Sequence, residues 1–245
     1  MNKLFCLALG VLVVLCAGVA DAGPVLDDIV KRGELVVGIT GDQPPLNVMS
    51  KEGDVIGLDA DLARGIARSM NLKVRFSRMP FPELLPALQA GKVDMVVSGM
   101  TMTMERNTKV AFIGPYYVSG KGILLRRKSV EMLKTEGLNS EKFRVATLKG
   151  STSQTIVEKA APKAALNLAD SYDKAIDLLL QDKADAVIAD YPFCAYIADR
   201  LSDKDLVVAE TKLSFEPLGF AVREDSLLLN GLENYLRILV MSGEM

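Results

Sequence analysis

The 245-residue sequence contains no histidine, no tryptophan and only three cysteines. Without histidine it lacks the commonest metal ligand and the commonest general base near neutral pH. Two of the cysteines, Cys6 and Cys16, lie within the first 22 residues. Cys194 then stands alone, which excludes an intramolecular disulfide framework in the rest of the chain. We therefore expect no metal site and no cofactor.

The sequence also has little excess of either charge and few long apolar runs. The net charge is -2, with both signs interspersed, so a nucleic acid is not an expected partner. The long apolar run at 4–20 follows Lys3 and ends in small residues up to Ala22. This pattern is typical of a secretory signal peptide cut after Ala22, which predicts an exported, periplasmic protein that begins at Gly23. A retained membrane anchor is the alternative. A lipoprotein is disfavoured because Leu15, rather than a small residue, precedes Cys16.

Short apolar runs typical of strands alternate with helical patterns along the remaining chain. Apolar residues at four-residue spacing, from Leu58 to Met70, indicate one such helix. Strands interleaved with helices predict parallel βαβ units and hence an α/β fold with mainly parallel sheets flanked by helices. The predicted strands are at 34–39, 72–76, 93–97, 143–148, 165–168 and 184–190, and the predicted helices at 57–70, 82–92, 151–161, 171–183, from about 191, and 225–245.

The strand and helix series occurs twice, which suits two units of about 100 residues. The extended segments "YYVSGKGILLRR" and "TKLSFEPLGFAVRED" connect the units and predict two hinge crossings. Solutes usually bind in the cleft between such units, at the carboxyl ends of the strands. The predicted division is a signal peptide at 1–22, lobe one at 23–119 with 217–245, lobe two at 120–216, and hinges near 118–122 and 213–218.

Four stretches together resemble a known family. They are "GLDADLARGIA", "SGMTMTMERNTKVAFIGPYYVSG", "LKGSTSQ" and "ADAVIADYP". The chain is similar to the family 3 extracellular solute-binding proteins, the polar amino-acid receptors of ABC transporters, although Ala60 replaces a larger residue. The resemblance covers nearly the whole mature chain. It implies a two-lobed periplasmic-binding-protein type II fold that captures an amino acid or small carboxylate, works as a monomer and delivers the solute to a membrane ABC permease.

The second stretch offers a candidate carboxylate site. Gly99 lets the backbone approach a ligand closely, and Thr101 supplies a hydroxyl. Arg106 supplies a planar guanidinium that matches a carboxylate through two charge-assisted hydrogen bonds. The resemblance implies that these positions bind the α-carboxylate of the solute. An arginine paired with a surface Asp or Glu is the alternative.

Ser151 and Thr152 stand at a predicted strand-to-helix turn, where free N–H groups attract anions. The resemblance makes Thr152 a second contact to the carboxylate, and a plain helix N-cap is the alternative, compatible reading. Asp190 ends an apolar strand ahead of Pro192. By resemblance it accepts the solute's α-ammonium, and an N-cap is again the alternative. A zwitterion held by Arg106 on one lobe and Asp190 on the other would favour closure of the lobes.

Three further residues bear on the solute's side chain. Phe81 matches a position that packs on that side chain, with an ordinary core residue as the alternative. Thr40 and Gln43 replace an Asp and an aromatic residue that often occur in relatives with cationic or amide ligands. We therefore expect a basic ligand to be disfavoured, while Gln43 could hydrogen-bond a polar group.

Two other functions stay open at this stage. Some relatives of this kind are cyclohexadienyl dehydratases, which need a placed general acid, for which Glu105 and Asp190 are the available carboxylates. The chain could also be the ligand-sensing domain of a larger system. A transport binding protein without catalytic residues is the preferred prediction.

Overall fold

The computed structural model describes residues 23–209 and 213–244, so the predicted signal peptide lies outside the described residues. Within these ranges there are nine α-helices and 13 β-strands. The helices are α1 Pro24–Arg32, α2 Leu58–Ser69, α3 Phe81–Gln89, α4 Met104–Asn107, α5 Val130–Glu136, α6 Thr152–Ala160, α7 Tyr172–Leu180, α8 Tyr191–Arg200 and α9 Ser226–Ser242. The strands are β1 Glu34–Ile39, β2 Asp42–Gln43, β3 Asn47–Met49, β4 Val55–Ile56, β5 Lys73–Arg78, β6 Met95–Val96, β7 Ala111–Ser119, β8 Lys121–Arg126, β9 Arg144–Leu148, β10 Ala165–Ala169, β11 Ala186–Asp190, β12 Leu206–Val208 and β13 Glu216–Val222.

Two five-stranded sheets define two lobes. The sheet of lobe one has the order β5-β1-β6-β13-β7, with β1 parallel to β5 and β6, and β13 antiparallel to β6 and β7. The sheet of lobe two has the order β10-β9-β11-β8-β12, with β9 parallel to β10 and β11, and β8 antiparallel to β11 and β12. Helices flank both sheets, as the alternating sequence pattern predicts. The fold is therefore the two-lobed α/β architecture expected.

The chain passes between the sheets twice, at neighbouring places. It leaves lobe one after β7, turns at Gly120 and begins β8 with Lys121. It returns between β12 and β13, where Glu216 lies opposite Ser119 in the sheet register. Backbone hydrogen bonding from Leu213 N to Lys121 O, at 2.8 Å, ties the two crossings together. Both lobes therefore join through one narrow double-stranded connection.

Local sequence explains most of the elements that carry the cleft. The apolar run at 34–39 forms β1 over those same residues. The predicted inner face of α7 is buried, with Tyr172, Ala175, Ile176 and Leu179 at most 7% exposed. The run at 93–97 contributes only Met95–Val96 to the sheet, because the chain turns away toward Gly99. The small sheet of β2, β3 and β4 was not predicted, since its strands are too short to show a period, and helix α1 was not predicted either.

The buried core continues across the gap between the lobes. One apolar cluster contains Phe81 and Leu84 of lobe one together with Tyr172 and Phe193 of lobe two. Cys194 belongs to the same cluster, and burial raises the pKa of its thiol to about 12. In the described part of the chain, no helix combines the length and apolar character needed to cross a membrane.

Candidate functional site

The loop after β6 begins the site. Gly99 has a φ of +54°, in the left-handed region that favours glycine. A Cβ at this position would lie 2.4 Å from Gln43 Oε1, so the Gln43 side chain would have to shift to accommodate it. The amide of Gly99 donates to Asp59 Oδ2 at 2.9 Å. Asp59 therefore fixes the backbone at the place where the polar residues of the second resembling stretch start.

Asp59 is fully buried and accepts three hydrogen bonds. Besides Gly99, its donors are Asn47 Nδ2 and the Tyr116 hydroxyl, both at 2.7 Å. Burial raises the pKa of Asp59, and the three hydrogen bonds, which lower it, offset only part of that effect. Asn47 also accepts from the Thr40 hydroxyl at 3.0 Å. The sequence prediction named Thr40 but missed Asp59, which links Thr40 to the Gly99 loop through Asn47.

Arg106 lies in the short helix α4, which Thr103 caps by accepting from the Arg106 amide. Its guanidinium donates to Thr101 O at 2.8 Å in lobe one and to Gly150 O at 3.0 Å in lobe two. It also lies 5.5 Å above the ring of Phe81. Burial lowers the pKa of Arg106, against the opposing influence of Glu216 and other anionic groups. Among residues 23–209 and 213–244, no ion pair includes Arg106.

Asp190 closes β11 and is almost completely buried. Lys121 Nζ donates to Asp190 Oδ1 at 2.9 Å, and Gln43 Nε2 donates to Oδ2 at 2.9 Å. The carboxylate occupies the N-cap position of α8, but its side chain makes no capping hydrogen bond. Lys121 and Asp190 are each 2% exposed in their side chains, so the pair is inaccessible to water. The carboxylate thus faces the gap and not the helix that it precedes.

Glu216, at the start of β13, joins the two lobes through hydroxyl groups. Its Oε2 accepts from Thr101 Oγ1 of lobe one at 2.7 Å and from Thr152 Oγ1 of lobe two at 2.8 Å. Its Oε1 accepts from Ser214 Oγ at 2.6 Å, and Lys121 Nζ lies 3.6 Å from Oε2. Burial raises the pKa of Glu216, but the ammonium group and these hydrogen bonds outweigh burial, so the pKa is lowered overall.

Ser151 and Thr152 have different roles at the start of α6. Ser151 caps the helix, with its Oγ accepting from the Gln154 amide at 3.4 Å and donating to Leu148 O at 2.6 Å. The Thr152 hydroxyl is directed across the gap to Glu216 and approaches Thr101 Oγ1 at 3.4 Å. Ser151 therefore caps the helix and Thr152 faces the cleft, two roles that the sequence alone did not assign to separate residues.

Cavities open between the lobes, among them two that predicted residues line. The first, about 420 Å³, is lined by Arg106, Gly150 and Thr152 among others. The second, about 450 Å³, is lined by Thr40, Phe81 and three aspartates, Asp42, Asp170 and Asp173, beside Arg78. Phe81 is only 6% exposed and belongs to the core cluster, so it is both a core residue and a wall of the cleft.

All nine predicted residues lie at the gap. Seven contact it through the bonds described above, namely Gly99, Thr101, Arg106, Asp190, Thr152, Phe81 and Gln43, while Thr40 and Ser151 line its cavities and also hold the adjoining loops. Sequence reasoning missed Lys121 and Glu216, although each is the only charged residue in a hinge stretch, "VSGKGI" and "SFEPLG". Among the residues that the structure describes, no group of three or more side chains could hold a metal ion.

Comparison with known proteins identifies relatives that share the fold of this chain. An ancestral amino acid-binding protein, described as a precursor of cyclohexadienyl dehydratase, is 37% identical with a TM-score of 0.81, covering 89% of this chain and 94% of its own. ArgBP from T. maritima in its holo form is 35% identical with a TM-score of 0.81, covering 87% and 93%. ABC transporter arginine-binding protein 1 of Escherichia coli is 27% identical, covering 84% and 85%. The matched relatives named here are binding proteins. Residues 35–244 match the bacterial extracellular solute-binding proteins, family 3, and the chain belongs to that family.

Proposed function

We propose that the protein captures an amino acid, or a related small carboxylate, between its lobes and delivers it to the permease of an ABC transporter. One observation carries this proposal: Arg106 approaches the gap from lobe one as a cation whose guanidinium donates to two carbonyl oxygens instead of a carboxylate. A carboxylate of the solute would provide the anionic partner that this guanidinium fits best. Asp190 approaches the same gap from lobe two and suits an ammonium group.

Closure follows from the placement of these groups. Gln43 donates to Asp190 across the gap, and the Tyr172 amide donates to Asp42 Oδ2 at 2.9 Å. The lobes therefore already have polar contacts that form only when they meet. A solute that contacts Arg106 and Asp190 at once binds the closed form better than the open one and shifts the population toward it.

Several finer points belong to the same proposal. The lobes divide at 23–119 with 217–245 and at 120–216, with hinges near 118–122 and 213–218. The protein is exported to the periplasm, begins at Gly23 after cleavage, and works as a monomer. Mass spectrometry of the exported form tests the cleavage, and an intact Met1 or a lipidated Cys16 would contradict it.

A second candidate is a dehydratase, favoured by the 37% identity to the ancestral precursor of cyclohexadienyl dehydratase. That chemistry needs a general acid placed at the substrate. Both oxygens of Asp190 are occupied as acceptors, by Gln43 and Lys121, so neither is placed to donate to a substrate in this arrangement, and Glu105 is exposed. Binding without turnover is the better-supported function.

Isothermal titration calorimetry against a panel of amino acids tests the proposal, with a prephenate turnover assay in parallel. We expect micromolar or tighter binding of at least one amino acid and no turnover. Replacement of Arg106 by alanine removes two charge-assisted hydrogen bonds of about 1.5–3 kcal/mol each, so affinity should fall about 10²- to 10⁴-fold. The control is Arg75→Ala, which breaks an exposed ion pair with Glu34 and should leave affinity unchanged.

Asp190→Asn separates the two ends of the solute. It should weaken binding of an amino acid but spare the corresponding acid without the amino group. Equal losses for both compounds would contradict an ammonium contact at Asp190. Turnover of prephenate together with no amino-acid binding would replace the transport function by the enzymatic one.

A further inference from the structure

The two residues that sequence reasoning missed, Lys121 and Glu216, form an ion pair inside the cleft. Their Nζ and Oε2 atoms lie 3.6 Å apart, and neither side chain is more than 5% exposed. Each opens the strand that follows one of the two lobe crossings, β8 for Lys121 and β13 for Glu216. Their positions therefore depend on the geometry of the hinge.

The carboxylate of this pair lies on the groups assigned to the solute's carboxylate. Glu216 Oε2 accepts from Thr101 at 2.7 Å and from Thr152 at 2.8 Å, one hydroxyl from each lobe. These are the hydroxyls that the family resemblance of the sequence assigns to the α-carboxylate. Arg106 is left out of this contact, since it donates to the carbonyl oxygens of Thr101 and Gly150.

The ammonium of the pair lies on the group assigned to the solute's ammonium. Lys121 Nζ is 2.9 Å from Asp190 Oδ1, and the other oxygen of Asp190 accepts from Gln43 of the opposite lobe. The positive end of the pair thus meets the acid anchor and the negative end meets the hydroxyl anchors. This is the charge arrangement that the amino and carboxyl groups of an amino acid would present.

We propose that Lys121 and Glu216 are an internal substitute for the zwitterionic end of the solute: they occupy its anchors, favour closure of the lobes and compete with the solute for the site. The inference rests on the proposed function, which assigns the anchors. Opening at the hinge would withdraw both residues, since both begin strands at the crossings. A solute must displace the pair, and its affinity is reduced by the contacts that the pair gives up.

The number of buried charges that a variant leaves without a partner determines which variant can test this proposal. Removing Lys121 alone would leave Asp190 and Glu216 buried with no cation within ion-pair distance among the described residues, which is strongly destabilising. The double variant Lys121→Met with Glu216→Gln removes one charge of each sign and keeps the side-chain sizes similar, so that one buried carboxylate instead of two loses its cation: Asp190, which keeps the hydrogen bond from Gln43. The matched control is Lys128→Met, which breaks an exposed ion pair with Asp182. Thermal unfolding followed by circular dichroism shows that each variant is folded.

The first measurement is small-angle scattering of the protein purified by unfolding, dialysis and refolding, with no amino acid added. We expect a larger radius of gyration for the double variant than for the wild type and the Lys128→Met control. The second is calorimetry with arginine, glutamine, lysine, histidine and glutamate. Any that binds the wild type should bind the double variant about tenfold more tightly or better, because charge-assisted contacts of the pair no longer oppose it.

A folded double variant with an unchanged radius of gyration, or with equal or weaker affinity for the same amino acid, would overturn the inference. That result leaves the proposed function intact as long as the wild type binds. Failure of the wild type to bind any of the five amino acids would count against the proposed function instead, and the scattering comparison would still decide whether the pair favours closure.

Discussion

Asp59 offers the sharpest test of how the site is held. Its carboxylate accepts from Tyr116, Asn47 and Gly99, and all four residues are buried. Asp59→Ala leaves those three donors without a partner. Asp59→Asn keeps one oxygen as an acceptor, and its NH2 group can donate to the Tyr116 hydroxyl once that hydroxyl rotates. The comparison of the two variants therefore separates hydrogen-bond satisfaction from charge.

The expected magnitudes follow from the contacts. Each buried donor left unpaired costs about 1–3 kcal/mol, so three of them give about 3–9 kcal/mol. Removal of a buried carboxylate recovers part of this, because burial outweighs its hydrogen bonds and raises its pKa. We expect a net loss of about 3–5 kcal/mol for Asp59→Ala and of about 1 kcal/mol for Asp59→Asn. The matched control is Asp61→Ala, two residues along α2, whose side chain is 74% exposed and pairs with Arg64.

Urea unfolding of the chain from Gly23 measures the three free energies directly. Asp61→Ala should fall within about 0.5 kcal/mol of the wild type. Solute affinity should also fall for Asp59→Ala, since Gly99 loses the partner that fixes its loop. Equal destabilisation by Asp59→Ala and Asp59→Asn would refute the reasoning, because the three donors would then not decide the outcome.

Three further predictions concern neighbouring groups. Gly99→Ala places a methyl group 2.4 Å from Gln43 Oε1 at a φ of +54°, so it should lower both the melting temperature and the solute affinity, whereas Gly53→Ala, with open space around it, should leave affinity unchanged. Because the pKa of Glu216 is lowered in the folded protein, its contribution to stability is present above the ordinary glutamate pKa and is lost as the pH falls through the folded-state pKa. The wild type should therefore lose more unfolding free energy than Glu216→Gln between about pH 5 and pH 3. Parallel pH profiles of the two proteins would contradict this. Leu84→Ala removes a fully buried side chain of the core cluster and should cost about 2–5 kcal/mol in urea unfolding, with a loss below about 1 kcal/mol counting against tight packing there.

The elements that could be predicted are those whose signal is local. A continuous apolar run gave β1, and the four-residue spacing from Leu58 gave α2, where Leu62 and Ile66 are buried. A strand of two or three residues carries no measurable period, which is why β2, β3 and β4 were not foreseen. Arg106, in the loop region after β6, and Asp190, at the end of β11, could be proposed because a resembling motif surrounds each of them.

The residues that were missed act through distant partners. Glu216 meets Thr101, 115 positions away, and Lys121 meets Asp190, 69 positions away. No local pattern encodes such a meeting, because it depends on how the two crossings are paired. Asp59 is a similar case, since its location in the first turn of α2 suggests a charge at a helix start rather than an acceptor for the Gly99 loop. The anchors could be proposed from sequence, but Lys121 and Glu216, which contact them, could not.

The single buried thiol of the chain from Gly23 has a practical consequence. Cys194 packs against Gly122 of β8, and its raised pKa keeps the sulfur in the unreactive thiol form. An alkylating reagent can therefore modify the folded protein only during excursions in which α8 separates from the sheet of lobe two. The rate of alkylation, measured by mass spectrometry, therefore reports how often α8 separates from the sheet, and it needs no engineered probe. A solute that lowers this rate without contacting Cys194 would show that binding in the cleft stabilises lobe two as a whole.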